Sequence, residues 1–224
     1  MAAKSEETRK KILEAALRLF RERGFAESTM RDIAQEAKVA TGLAYYYFPK
    51  KEDLVMAFYV KVNAEMRPKV EAALASHGKL EQKIRALVYV KFDYFGPDRK
   101  FLGALSGYSA DPGHRLSPFS EETKEIREEG IAQFRTALEQ SELKVPEDLV
   151  EAMPKILWMY QMGMVLFWIY DRSEGQRRTQ LLLDKSLGIV VLLLKASSLP
   201  LMRPVRKLIL DLVDVIAGEQ SAVY

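Results

Sequence analysis

The chain is expected to be all-α, with a short N-terminal three-helix unit containing a helix-turn-helix and a larger helical unit after it. Three observations point there. Apolar residues recur at 3- and 4-residue spacing along most of the 224 residues, and no alternating strand pattern is bounded by turns. Residues 29–54, TMRDIAQEAKVATGLAYYYFPKKEDL, hold two short helical patterns on either side of a tight break. The composition, 48% hydrophobic and 29% charged, is ordinary for a globular protein.

The first helix is expected over 5–23, where Ile12, Leu13, Ala16, Leu17, Leu19 and Phe20 form one apolar face. Ser5 serves as its N-cap, with Glu6 and Glu7 in a first turn that favours anions. Gly24 stands where a C-terminal cap belongs, and Phe25 can fold back onto the helix. Ser28 or Thr29 caps the second helix, with Asp32 near its third position. Ile33, Ala34 and Ala37 give that helix an apolar face. Leu43, Ala44, Tyr47 and Phe48 do the same for the third. Helices this short cannot stay folded alone, because nucleation is costly, so they must lean on the first. A short helix held out by a scaffold suits a DNA major groove.

Further helices are expected near 51–66, 69–76, 79–95, 98–108, 118–142, 147–171, 174–197 and 202–217. The breaks are Pro68, Ser76-His77-Gly78, Gly96-Pro97 and Asp111-Pro112-Gly113. Pro146 suits the first turn of its helix, while Pro154 falls inside and should kink it. Val55, Phe58, Val62 and Met66 continue directly from the first unit, without a flexible linker. No internal repeat or low-complexity segment interrupts the series.

Composition excludes several chemistries. There is no cysteine, hence no disulfide, thiol nucleophile or thiolate metal site. No His/Asp/Glu cluster has metal-ligand spacing, and no Ser elbow or Gly-rich phosphate loop occurs, so no enzyme, metal or cofactor reading has support. The N-terminus is polar through Arg9, which does not fit a signal peptide, and a cytoplasmic setting is expected. Residues 156–170, ILWMYQMGMVLFWIY, are strongly apolar but shorter than the ~20 residues of a membrane span. Residues 1–55 carry 11 Lys+Arg against 9 Asp+Glu, so neither end is a basic tail.

The segment TRKKILEAALRLFRERGFAESTMRDIAQEAKVATGLAYYYFPKKEDL resembles the N-terminal domain of TetR-type (tetracycline-repressor family) regulators. The matching residues are Ile12-Leu13, Ala15-Ala16, Leu19-Phe20, Gly24-Phe25, Thr29, Ile33-Ala34, Ala37, Val39, Gly42, Tyr45, Tyr47-Phe48 and Lys51-Glu52-Asp53-Leu54. They keep the family's order and spacing over about 50 residues. The departures are Lys38 for the usual Gly of the turn, Ala40 for a Ser, and Leu43-Ala44 for Thr-Leu. A left-handed backbone at Lys38 would cost roughly 1 kcal/mol.

The resemblance implies a DNA-binding domain at 1–54, an effector-binding and dimerisation domain at 55–218, and a tail at 219–224. It places Thr29, Arg31, Tyr45, Tyr46, Tyr47 and Lys51 beside DNA, with Tyr45, Tyr47 and Lys51 at phosphates. Thr41, Gly42 and Leu43 begin the recognition helix and are the candidates for base edges; Leu43 can pack on a thymine methyl. The partners implied are double-stranded operator DNA, a second copy of the chain and a small-molecule effector, with no membrane.

Two further sites follow. Aromatic and Met side chains in the larger unit are more often core than pocket. The family hollows this domain, so Tyr89, Phe92, Phe101, Tyr108, Trp158 and Met162 are assigned to an effector pocket. Few charges interrupt them, which favours an apolar or aromatic ligand; Arg85, Lys91 and Asp93 are available for a polar head. The apolar runs 156–170 and 187–194 (LGIVVLLL) need cover on all sides. One side can face its own domain, and the other needs a second chain or a ligand unless both runs form a deep monomeric core. The resemblance implies a four-helix dimer interface here, to which Gly163, Phe167, Leu187, Gly188, Val191 and Leu194 are assigned. The function implied is a homodimeric repressor released from its operator by an effector. The alternative is a protein of this type that binds a lipid or hydrophobic molecule without DNA. Lys38, Ala40 and Leu43 favour that alternative, and Gly42, Tyr47 and Lys51 oppose it.

Overall fold

The computed structural model describes residues 2–76 and 78–217; His77 and the expected tail at 219–224 lie outside them. Among the described residues the regular structure is helical, as expected: α1 (Ala2–Glu22), α2 (Met30–Glu36), α3 (Thr41–Tyr47), α4 (Lys51–Ala75), α5 (Leu80–Phe95), α6 (Arg99–Leu105), α7 (Lys124–Glu139), α8 (Ala152–Tyr170), α9 (Arg177–Ser197) and α10 (Arg203–Ala217). Short 3-10 turns precede α6, α8, α9 and α10.

Four local expectations change. Helix α1 begins at Ala2, so Ser5 is inside it and is not its cap. Helix α4 runs through Pro68, where a break was expected. Proline removes one helix hydrogen bond and crowds the preceding turn, at about 3 kcal/mol. Val55, Phe58, Val62, Met66 and Val70, all buried along α4, offset that cost. Helix α8 starts at Ala152, which puts Pro154 in the first turn, where no intrahelical N–H partner exists and no kink is forced. Helix α7 starts at Lys124 and not near 118. Residues before it form turns closed by side chains: the Thr123 hydroxyl donates to Ser117 O (2.8 Å), and Arg127 Nη1 donates to Ser120 O (2.9 Å).

The chain packs as two compact units whose members are not consecutive. The first joins Met1–Arg67 with Tyr94–Arg127; the second joins Pro68–Asp93 with Glu128–Tyr224. Nothing in the sequence pattern pointed to a segment from the middle of the chain joining the N-terminal helices.

In the first unit an aromatic cluster makes the join. Phe101 of α6 stacks on Phe20 of α1 (centroids 5.3 Å apart) and meets Phe58 of α4 edge-on (5.5 Å). All three rings are buried. Beside them Arg21 forms a two-pronged ion pair with the buried Asp98.

In the second unit Leu87, Phe134, Leu157, Leu183 and Leu187 are fully enclosed. Phe92 of α5 stacks on Trp168 of α8 (5.2 Å). Buried Gln161 donates to Leu87 O (3.2 Å), so the one polar residue of the 156–170 run ties α8 to α5. Asp171 ends α8 and organises the start of α9. It accepts from Ser173 N (2.9 Å), Ser173 Oγ (2.7 Å), Thr179 N (2.8 Å) and Thr179 Oγ1 (2.7 Å).

Candidate nucleic-acid interface

Helices α2 and α3 are fixed from below by apolar contacts and at their ends by polar ones. Gly24, at φ 95°, reverses the chain after α1, a backbone that favours glycine. Phe25 then folds back edge-on to Phe20 (5.2 Å). Ser28 is buried and its hydroxyl donates to Gly24 O (2.7 Å). Thr29, not Ser28, caps α2: its Oγ1 accepts from Asp32 N (3.2 Å), and its N–H donates to Asp32 Oδ2 (3.0 Å). The Thr29 hydroxyl and then its backbone N–H hold the Asp32 carboxyl below the usual carboxylate range. Arg18 of α1 reaches Glu36 of α2 (3.0 Å).

The turn between α2 and α3 uses Lys38 at φ 56°, the left-handed backbone that a glycine usually supplies. Ala40 is the N-cap of α3 and offers no side-chain hydrogen bond; Thr41 does not replace it. The first turn of α3 therefore has no protein side-chain partner at its cap.

Helix α3 buries only Ala44. Phe48, just beyond, is buried, and the Arg9 guanidinium lies 5.1 Å over its ring. The rest of the helix faces outward. Thr41, Gly42 and Leu43 are exposed, Tyr45 is 49% exposed and Tyr46 76%. Tyr47 is half-buried, and its hydroxyl shares a hydrogen bond with Ser5 Oγ of α1 (3.0 Å). Thr29 and Arg31 of α2 are exposed as well. Seven of the nine expected DNA-side residues thus lie on open surface, and Tyr47 lies at its edge.

Lys51 is placed differently from expectation. Its Nζ turns inward and donates to Phe25 O (2.6 Å), Ala26 O (3.2 Å) and Ser28 O (3.0 Å). An ammonium has three N–H donors, and in this structure each has an acceptor within the protein. The exposed cation at this corner is Lys50, whose backbone N–H donates to Asp53 Oδ2 (2.8 Å).

The six expected pocket residues are divided between the two units. Phe101 and Tyr108 belong to the first unit, where Tyr108 stacks on His114 (4.4 Å) and meets Phe25 edge-on (6.1 Å). Tyr89, Phe92, Trp158 and Met162 belong to the second, with Phe92 and Trp158 buried. A recess of about 350 Å³ in that unit lies elsewhere, lined by Leu74, Ala75, Ser76, Gly78, Lys83 and Gln140. Its Lys83 ammonium already donates to Leu74 O, Ser76 O (3.0 Å) and Gln140 Oε1 (3.0 Å). Of the polar groups expected near an effector, Arg85 pairs with Asp184 and Glu81. Burial pulls the Lys91 ammonium down to about 8, against a smaller opposing pull from Glu129.

The expected interface residues divide as well. Gly163, Phe167 and Gly188 are exposed and Val191 is half-buried, but Leu187 and Leu194 are in the core of their own unit. They share a helix face with Leu183, which is fully buried. The outward face of α9 carries Leu181, Leu182, Ile189, Leu192 and Leu193, from 39% to 65% exposed. None of the five was among the expected interface residues, although Ile189, Leu192 and Leu193 lie within the 187–194 run. The signal was the 3.6-residue period inside an all-apolar run, which assigns one face to the core and the opposite face outward.

Among the described residues no group of His, Cys, Asp and Glu could hold a metal, and no helix is long and apolar enough to cross a membrane.

Residues 12–58 match the family described as bacterial regulatory proteins, tetR family, and residues 83–215 match the tetracyclin repressor-like C-terminal domain. Over 92 residues the chain is 36% identical to the HTH-type transcriptional regulator BetI of Agrobacterium fabrum, a match covering 40% of this chain and 45% of that regulator. The chain thus spans about half the length of such curated relatives. The fold resembles the fatty acid degradation regulator FadR of Bacillus halodurans, with TM-score 0.61 and 19% identity, covering 81% of this chain and 95% of that one. It also resembles Thermus thermophilus FadR, a transcriptional repressor solved with lauroyl-CoA, with TM-score 0.56 and 24% identity, covering 78% and 92%.

Proposed function

The chain belongs to the TetR family of bacterial transcriptional regulators, and from that membership we propose that it is a homodimeric DNA-binding repressor released from its operator by an apolar effector. It is not an enzyme: the family members it matches are regulators.

The observation that carries the DNA reading is α3. A helix of seven residues that buries only one of them contributes little to its own core. Its value lies in the face it presents, Thr41, Gly42, Leu43, Tyr45 and Tyr46, on a scaffold fixed by the Thr29–Asp32 cap and the aromatic cluster below. Thr41 and Leu43 would read base edges; Tyr45, Lys50 and Arg31 would meet phosphates. The outward leucines of α9, with exposed Leu166, Phe167 and Tyr170 on α8, support pairing with a second copy, because apolar exposure beyond scattered single residues favours an interface. The effector reading draws on the apolar interior of the second unit. Lauroyl-CoA, with which the Thermus repressor was solved, carries an apolar acyl chain and so is in keeping with an apolar effector. Helix α4, unbroken from the first unit's Lys51 to Ala75, is our candidate for the link.

Selection of bound duplexes from a random pool tests the reading. The expected product is a roughly palindromic site with half-sites centred about 34–36 Å apart or a multiple of that. Failure to enrich any sequence, with vesicle-derived fatty acids retained by the purified protein, would replace it with the lipid-binding alternative.

A further inference from the structure

We infer that Ser5 of α1 is a positioning residue for Tyr47, donating to its hydroxyl so that the phenol proton is turned toward a DNA phosphate. The inference rests on the DNA-binding reading and adds to it a residue outside the helix-turn-helix.

Tyr47 is the last residue of α3 and sits half-buried at the edge of the exposed face. Its ring stands edge-on to that of Tyr46, with centroids 5.2 Å apart. Its hydroxyl lies 3.0 Å from Ser5 Oγ, 42 positions earlier in the chain. Four residues after Ser5, Arg9 sets its guanidinium 5.1 Å over the ring of Phe48. Residues four apart share a helix face, so one face of α1 meets the end of α3 at two consecutive residues. The Arg9 contact anchors Phe48, and the Ser5 contact holds the one polar atom that the Tyr47 side chain can offer. A hydroxyl has one proton to donate and two lone pairs with which to accept. Between Ser5 and Tyr47 alone, either can be the donor. A phosphate oxygen removes that freedom, because it only accepts. Tyr47 then gives its proton to the phosphate, and Ser5 gives its own to Tyr47. Donation by Ser5 polarises the phenol and strengthens its bond to the anion. Ser5 brings no charge of its own, so its contribution to DNA binding is the orientation of the Tyr47 hydroxyl.

Magnetic resonance and DNA titration test the pairing and its consequence separately. In the DNA-free protein with tyrosines labelled at Cζ, Ser5→Ala should move the Tyr47 resonance and Ser5→Thr should restore it. Alanine suits a helix better than serine, so Ser5→Ala leaves α1 folded. On selected duplex, Ser5→Ala should weaken binding about fivefold, the loss of one hydrogen bond, with the salt slope of the parent. Ser5→Thr should bind as the parent does. Tyr47→Phe should weaken binding by about tenfold or more, and adding Ser5→Ala to it should cost nothing further. A Tyr47 resonance unmoved by Ser5→Ala overturns the inference. So does a loss that persists in the Tyr47→Phe background, since Ser5 would then act on DNA without Tyr47. If the parent binds no duplex, the DNA reading fails and the phosphate contact with it, while the resonance still decides whether Ser5 holds the hydroxyl.

Discussion

Arg21, in the last turn of α1, grips Asp98 with both prongs of its guanidinium: Nε meets Oδ1, and Nη2 meets Oδ2 at 3.1 Å. Asp98 is almost fully enclosed, its side chain 5% exposed, while Arg21 is 41% exposed. The pair ties the residue before α6 to the N-terminal helices, beside the stacked rings of Phe20 and Phe101. Removing the cation leaves a buried carboxylate without its counter-charge, which is worse than removing both partners. Arg21→Met should therefore lower stability by about 2 kcal/mol, and the double variant Arg21→Met with Asp98→Leu should lose less. Urea unfolding of the single and double variants measures the difference. A double variant less stable than Arg21→Met would show that Asp98 acts through other partners.

Lys38 holds a left-handed backbone at φ 56°. A side chain there costs about 1–2 kcal/mol, and glycine returns roughly half of that through its looser unfolded chain. Lys38→Gly should raise stability by about 0.5–1 kcal/mol. A shift of the denaturation midpoint toward higher urea is the expected result; a shift downward means the Lys38 side chain makes a contribution larger than its strain.

The Asp171 carboxyl gives the second unit a pH dependence. Burial pushes its pKa up, but donors from Ser173 and Thr179 together outweigh burial and hold it well below the usual carboxylate range. A carboxyl depressed on folding stabilises the protein above its unfolded pKa, near 3.9, and that contribution is lost as pH falls below it. The stability gap between the parent and Asp171→Asn should be full at pH 7 and shrink steadily below about pH 4. Parallel unfolding curves at pH 7 and pH 3 check this; a gap independent of pH would assign the effect to hydrogen-bond geometry alone.

Leu192 and Leu193 are 65% and 57% exposed on the outward face of α9. If that face pairs with a second copy, Leu192→Asp buries a charge in the interface and should dissociate the dimer. Sedimentation at micromolar concentration should give a dimer for the parent and a monomer for the variant. A parent that sediments as a monomer removes the homodimer from the proposed function.

On selected DNA, Lys50→Ala should weaken binding to all sequences alike and lower the salt slope by about one. Thr41→Ala should change the preference among sites by roughly 1–3 kcal/mol. Electrophoretic titration against two operator variants at two salt concentrations separates these outcomes. Parental behaviour in both variants would displace α3 from the groove.

The sequence by itself determined the all-helical class, the helix-turn-helix, a cap for α2 at Ser28 or Thr29 with Asp32 in its first turn, the glycine reversal at Gly24 and the buried Ile12, Ile33 and Phe48. These depend on residues within a few positions of one another, through helical period and capping chemistry, and such local rules are written in the order of the chain. The tertiary structure decided the rest. Pro68 stays helical because apolar burial along α4 outweighs one missing hydrogen bond. Leu187 faces inward while Leu192 faces outward because packing chooses one face of a uniformly apolar run. Lys51 turns from the surface to the carbonyls of Phe25, Ala26 and Ser28 because a distant connector brings three acceptors together. Asp98 joins Arg21 across 77 positions. Each of these is an interaction between segments far apart in the chain, whose energy exists only once both are in place, and no local pattern encodes it.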